Sequence, residues 1–455
     1  MNLIKTIVAA ALTVAGPLAA LAAPTADEIK QLGTSLTPWG AEKAGNKEST
    51  IPEYTGGLTH PPANFDKQRQ GWRPDPFPND KPLHRIDAKN MGQYADKLSP
   101  GTKELMKKYP TFYIDVYPTR RTVTYPQQVI DNTLKNASRC AIINNGLGID
   151  VSKGCRGGIP FPIPKSGMEV VWNHHLRYAG LGSLSKQTSH YVKPNGDDVI
   201  SGVQYQYNEY GFYDNRKKVP DQFALLRAEY IAPTRIAGQT SFLFDSIVNS
   251  ERRSWSYQPA TRRTRLAPDL AADTPIASTG GAKLYDEGYQ FTGKIDLWDW
   301  KLVGKEELLI PYNIYKLEYP EKGGGCTKEE GLLTAFHVKP SCVRWELHRV
   351  WHVTATLKPG KRHVYSKRDF FFDEDAWHGG LQENYDQAGK LYRVHLHGLT
   401  PAYERAEPGL AGEISMDLIT GIYQIWTADA WYVTWGPLTP EQATPESTSA
   451  QILKY

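Results

Sequence analysis

Beyond its N-terminal segment the chain lacks any run of about 18 apolar residues, so it offers no helix able to span a bilayer. It also lacks an excess of one charge. Fifty-three basic residues face 49 acidic ones, a net charge of +4, too even for the concentrated basic stripe of a nucleic-acid binder. Cysteine is scarce, with four in 455 residues and no CxxC, which argues against a closed zinc site. There is no GxSxG, no HExxH, no GxxxxGK[ST] and no dinucleotide-binding glycine fingerprint after a strand. No internal repeat is visible. These absences lower the weight of an enzymatic reading, and no catalytic residue, metal or other cofactor is assigned.

The first residues do carry information. Lys5 precedes an apolar run from Ile7 to Leu21, and Ala20-Leu21-Ala22 forms a small-x-small pattern before Ala23-Pro24. This predicts a secretory signal at 1–22, cleaved after Ala22, and a mature protein in the periplasm or outside the cell. No cysteine follows the cut, so a lipid anchor on the new N-terminus is not supported. The cysteines fit an oxidising compartment, because Cys140 with Cys155 and Cys326 with Cys342 form two close pairs for which sequential disulfides are the simplest connectivity.

Aromatic residues are abundant, with 26 Tyr, 12 Trp and 13 Phe. They suit pleated half-buried strands and ligand cavities alike. Residues 23–110 read as a Pro-rich wrap with short helices: Thr25 and Glu28 have capping-box spacing, and Ser99-Pro100 opens a helix. "TFYIDVYPTRRTVTYP" reads as a strand, "PQQVIDNTLKNASRC" and "SGMEVVWNHHLRYAG" as helices. From about residue 188, short aromatic and β-branched runs alternate with turns, as in "VISGVQYQYNEYGFYD", "VRWELHRVWHVTATL" and the hairpin "YDQAGKLYRV". The expected architecture is α+β and mostly antiparallel: residues 111–455 as one curved sheet or open barrel with a helical plug, helices packed on it. A membrane barrel fits less well, since its strands alternate more strictly.

Three constellations could carry chemistry. Glu346, His348 and His352 share one strand face and could meet at a metal, as could His395 with His397 or His174 with His175; the bland reading is amphipathic side chains on a half-buried sheet. Asp373-Glu374-Asp375, with Asp296 and Asp299 around Trp298, could supply the paired carboxylates of a glycan hydrolase, or form a solvated turn. In "SWSYQPATRRTRLAP", Trp255 and Tyr257 share one strand face and Arg262, Arg263 and Arg265 follow Pro259. Rings beside guanidinium groups suit an amphiphile with an anionic head, whereas the competing reading pairs the arginines with acids on the outer face.

This last stretch, with "YPTRRTVTYP", "LLIPYNIYKLEY" and the segment from "KRDFFFDEDAW" to "YDQAGKLYRV", resembles the domain of unknown function 1329 family, proteobacterial periplasmic proteins that carry the label outer-membrane lipoprotein-sorting protein. The resemblance covers essentially the whole mature chain. It implies a strongly curved, unclosed half-barrel like that of the periplasmic lipoprotein carrier and acceptor, with helices over its mouth and an interior for acyl chains. It also implies work beside a resistance-nodulation-division (RND) type transporter and an outer-membrane partner. The family signature falls on Trp255, Tyr257, Pro259, Arg262, Arg263 and Arg265, with Ala260 where glycine is expected. The resulting expectation is a monomeric, non-enzymatic periplasmic carrier for a lipid or other hydrophobic amphiphile. Trp255 and Tyr257 are expected to face inward, with at least one arginine at the rim. A periplasmic hydrolase of glycans or esters, and a scaffold between the two membranes, are the alternatives.

Overall fold

The computed structural model describes residues 23–69, 71–215, 222–249, 251–267, 272–409 and 412–435. The expected signal at 1–22 lies outside them. In chain order the strands are β1 (His84–Ile86), β2 (Ile114–Val116), β3 (Ile142–Ile143), β4 (Gly148–Ile149), β5 (Gly182–Val192), β6 (Asp198–Glu209), β7 (Gln222–Ala232), β8 (Thr240–Ser246) and β9 (Arg252–Gln258). They continue with β10 (Arg263–Leu266), β11 (Trp298–Pro311), β12 (Arg344–Leu357), β13 (Lys367–Asp373), β14 (Gly380–Tyr385), β15 (Leu391–His397), β16 (Glu413–Asp417) and β17 (Tyr423–Trp435). The helices are α1 (Ala26–Ile29), α2 (Pro100–Lys108), α3 (Gln127–Asn136), α4 (Gly167–His175) and α5 (Tyr315–Glu318).

Fifteen of these strands form one sheet in the order β1-β2-β12-β13-β14-β15-β16-β17-β5-β6-β7-β8-β9-β10, with β11 on β12. Neighbours are antiparallel except β2 and β12. The end strands β1 and β10 do not pair, so the sheet is not closed into a barrel. Among the described residues no helix is long and apolar enough to cross a membrane.

Local chemistry explains the helix starts. Thr25 and Glu28 form the reciprocal capping box of α1. Ser99 caps α2 by accepting from Thr102 N at 3.1 Å, with Pro100 in the first turn. Ser166 does the same for α4, accepting from Glu169 N at 3.2 Å. The turn between β14 and β15 is closed by Asp386, whose Oδ1 accepts from Ala388 N and Lys390 N at 2.9 Å each. Both disulfides, Cys140–Cys155 and Cys326–Cys342, are formed as expected.

One element differs from its sequence reading. Of the strand expected over 111–126 only Ile114–Val116 pairs in the sheet. Beyond it side chains take over part of the link to β12: Arg120 N donates to Glu346 Oε2 at 2.7 Å, and Thr119 Oγ1 to Leu347 O at 2.8 Å. Prolines at 118 and 126, which cannot donate to a ladder, bracket this departure.

α4 lies on β11 and β12, and α2 on β15. Between β10 and β11 the chain crosses the sheet as a plug of short turns, Ala277–Thr279, Tyr285–Glu287 and Ile295–Leu297. Buried polar contacts pin the plug to the sheet. Asp286 pairs with Arg368, Glu287 Oε1 accepts from Tyr365 Oη at 2.7 Å, Lys283 Nζ lies 2.5 Å from Glu413 Oε1, and Arg393 donates to Gly281 O at 2.7 Å.

Candidate functional site

The plug does not fill the whole face it crosses. Between it and β5–β9 lies a cavity of about 440 Å³, within the size range of small-molecule sites. Strand alternation determines what lines it. On β6, Gln204, Gln206 and Asn208 face the cavity, and Tyr205 and Tyr207 point to the other face.

The amides form a ladder. Gln204 Nε2 donates to Gln187 Oε1 on β5 at 3.1 Å and to Gln206 Oε1 at 3.2 Å; Gln206 Nε2 donates to Asn208 Oδ1 at 3.4 Å, and Asn208 Nδ2 to Ser183 Oγ at 3.0 Å. On β7 the lining turns apolar, with Phe223, Leu226 and Ala228, whereas β8 sets Leu243 between Ser241 and Asp245, the latter paired with Arg252 of β9 at 2.6 Å. Gly202 makes room on this wall, since a Cβ there would sit 2.5 Å from the ring of Tyr230.

The facing wall belongs to the plug and carries Ile276, Tyr285, Tyr289 and Phe291. Tyr289 and Gln290 are consecutive non-glycine residues at φ 50° and 80°, a conformation that costs energy unless its surroundings impose it. Here the surroundings do so. The Tyr289 hydroxyl bonds Gln206, and Gln290 Nε2 donates to Leu381 O at 3.2 Å.

Arg177 stands between this cavity and a smaller one of about 70 Å³. Its Nη1 donates to His174 O at 2.8 Å and its guanidinium lies 5.4 Å from the Tyr289 ring. Beside it, His175 is 6 % exposed and packs edge-on to Phe223 and Phe291, with centroids 5.1 and 5.4 Å away. Both its ring nitrogens lack a hydrogen-bond partner among the described residues. Burial, reinforced by the Arg177 charge, holds its pKa to about 3, so the ring is neutral. In the smaller cavity burial pushes the Glu318 carboxyl up to about 7.

The expected constellations fare differently. Trp255 and Tyr257 are the clearest correction. Cross-strand pairs place Ser241 opposite Ser256 on the cavity face, and Phe242 opposite Trp255 on the other. The rings therefore face away from the cavity: Trp255 packs edge-to-face on Phe242 at 5.7 Å, and Tyr257 is buried on that same face. Arg252, Ser256 and Gln258 are the β9 residues that line the cavity. Arg262, Arg263 and Arg265 are exposed at β10, the last strand of the sheet path.

Glu346, His348 and His352 do not converge. His352 lies four residues, roughly 13 Å, along β12 from His348 and bonds Glu306 at 2.7 Å and Asp369 at 3.3 Å. His348 sits between Glu346 at 3.2 Å and Asp373 at 3.4 Å; burial disfavours its charged form, yet these two carboxylates outweigh it and raise its pKa to about 9.

The acidic run is neither a solvated turn nor an open pair. Asp375 takes Arg121 in a two-pronged bond at 2.9 and 2.8 Å, and Glu374 takes Lys305 at 2.7 Å; all three acids are buried. Asp296 pairs with Lys361 at 3.4 Å and Asp299 is exposed, at the opposite end of β11, roughly 20 Å along the strands from Asp373. The hydrolase constellation is thus dispersed.

His395, His397 and Glu413 do come together, with candidate ligand atoms within 4.8 Å of one another. The set fits a cation, and Lys283 supplies one, its ammonium 2.5 Å from Glu413 and 4.0 Å from the Trp426 ring. His174 lies 3.2 Å from both Trp377 O and Phe291 O; burial keeps the ring neutral, so its single N–H ties it to one of these carbonyls.

Sequence reasoning missed the amide wall. The alternation in "QYQYN" at 204–208 was the available signal, because on a strand it separates three amides from two tyrosines.

The fold and cavity together define a class: an unclosed antiparallel-sheet protein that encloses a ligand-sized space under a plug. Within that class the chain belongs to the DUF1329 family, a protein family of unknown function, whose model matches residues 85–445. It is 38 % identical over 411 residues to the uncharacterized protein PA3922 of Pseudomonas aeruginosa, covering 89 % of this chain and 88 % of that one. Similar solved structures include a DUF1329 family protein from Desulfovibrio piger, with 12 % identity, a TM-score of 0.43 and coverage of 62 % of this chain and 97 % of that one. A LolA superfamily protein from Nitrosomonas europaea matches with 9 % identity, a TM-score of 0.34 and coverage of 60 % and 93 %.

Proposed function

We propose that this protein is a periplasmic binding or carrier protein that holds a lipid or other amphiphile between β5–β9 and the plug. The observation that carries the proposal is the cavity of about 440 Å³ whose walls are part amide and part hydrocarbon. The two disulfides support an oxidising compartment.

Magnitudes favour a ligand that uses both walls. Ten buried methylenes contribute about 8 kcal/mol, and association costs at least about 4 kcal/mol. Apolar burial alone in this space therefore leaves weak affinity, and hydrogen bonds to the amide wall raise it. Such a carrier needs no catalytic group, no cofactor and no second subunit.

The exposed Arg262, Arg263 and Arg265 guard the β10 edge against strand pairing. They are also placed to meet an anionic membrane surface, where each basic residue is worth about 1 kcal/mol. Hand-over between an RND-type transporter and the outer membrane is the corresponding cellular role.

The test is a titration with the fluorescent apolar anion 1-anilinonaphthalene-8-sulfonate. The protein should bind one dye per chain, and Ala228→Phe, which fills the cavity, should abolish binding. Equal binding by the variant would overturn the assignment of the site.

A further inference from the structure

The hydrocarbon of the sheet side of the cavity is concentrated on β7, beside the amides of β6, and gives way to a mixed β8 and a polar β9. Three successive inward positions of β6, Gln204, Gln206 and Asn208, are amides over roughly 13 Å of strand. The adjacent β7 lines the space with the hydrocarbon of Phe223, Leu226 and Ala228; two strands from β6, roughly 10 Å across the sheet, β8 adds Leu243 between Ser241 and Asp245.

A head-and-tail lipid, polar at one end only, is poorly matched to this pattern. Lying along the strands, it would press its chain against the amides and remove them from water, at about 1–3 kcal/mol for each group left unpaired.

The hydrogen-bond ladder also specifies what the ligand must bring. The amide nitrogens of Gln204 and Gln206 are already spent on neighbours, whereas Gln204 Oε1 accepts no bond among the described residues. Acceptors on a cavity wall call for donors on the ligand. A ligand hydroxyl supplies such a donor. His175 closes one end of the space, its ring packed edge-on to Phe223 and Phe291. The plug's Tyr285, Tyr289 and Phe291 close the space with aromatic surface.

We infer that the ligand is a facial amphiphile: a ring system with hydroxyl groups along one edge or face and hydrocarbon on the other, lying along β6 and β7 under the plug. This deepens the carrier reading and rests on it.

Calorimetric titration of the mature protein with cholate below its micellar range, and separately with palmitate, tests the inference. Cholate should bind one per chain and about tenfold more tightly than palmitate, the equivalent of one or two satisfied hydrogen bonds. Gln204→Leu should weaken cholate about tenfold and leave palmitate unchanged or tighter. Palmitate binding more tightly than cholate in the wild type, or cholate indifferent to Gln204→Leu, would overturn the facial-amphiphile assignment and leave the carrier standing. Failure to bind cholate, palmitate and the apolar dye alike would overturn both.

Discussion

Gln206 on β6 and Ala228 on β7 are directly opposed cross-strand partners on the concave face. An amide and a methyl group thus meet at the line where the cavity's wall changes character. Most sheets place that change between their two faces. Here it also runs within one face, which leaves a hydrogen-bonding stripe beside hydrocarbon in a space that water can leave.

The wall depends on a residue with no side chain. Gly202 leaves room for the ring of Tyr230, and Gly202→Ala would bring a Cβ to 2.5 Å of it. The ring must then move toward the cavity it lines. Dye or ligand affinity should fall severalfold while the chemical denaturation midpoint shifts little; unchanged affinity would show that Tyr230 has somewhere else to go.

Trp255→Ala should show the opposite pattern. Its ring packs on Phe242 away from the cavity, so the loss is structural, about 1–3 kcal/mol of unfolding free energy, with ligand retention preserved. Urea denaturation and binding measured on the same sample separate the two effects. Replacing Arg262, Arg263 and Arg265 together with serine should change stability by under about 0.5 kcal/mol and reduce binding to anionic vesicles.

These two regions show which parts of the molecule were legible beforehand. The caps of α1 and α2, the Asp386 turn, both disulfides and strands such as β12 announce themselves through local chemistry or through apolar residues alternating with polar ones. β5 does not. Its first half, "GSLSKQ", carries Ser183, Ser185 and Gln187 where a core-facing strand would carry valine or leucine, and so it reads as loop. The residues that make the polar wall are the same ones that erase the strand signal. Trp255 and Tyr257 failed for a different reason: alternation shows that two rings share a face, and only the tertiary fold decides which face is inside.

Protonation offers a further check. Glu318 titrates near pH 7 in the folded chain and near 4.5 when exposed. Between these values the folded state holds more protons than the unfolded one, so stability should fall as pH rises from about 4.5 to about 7. Glu318→Gln should flatten that part of the profile in melting experiments; an unaltered profile would place the titrating group elsewhere.

Reduction should be costly. Each disulfide closes a loop of about 15 residues, for which the chain-entropy account gives roughly 3 kcal/mol. Thiol reductant should lower the melting temperature, and Cys140→Ser with Cys155→Ser should reproduce part of that shift without reductant.

The central claim is that the space beneath the plug carries a molecule. Native mass spectrometry of the protein purified without detergent from its native host, followed by solvent extraction, addresses it most directly. The account predicts one noncovalent adduct per chain, extractable into organic solvent and missing from Ala228→Phe. A bare protein mass, still bare after incubation with total membrane lipid and with hydroxylated ring amphiphiles, would contradict it.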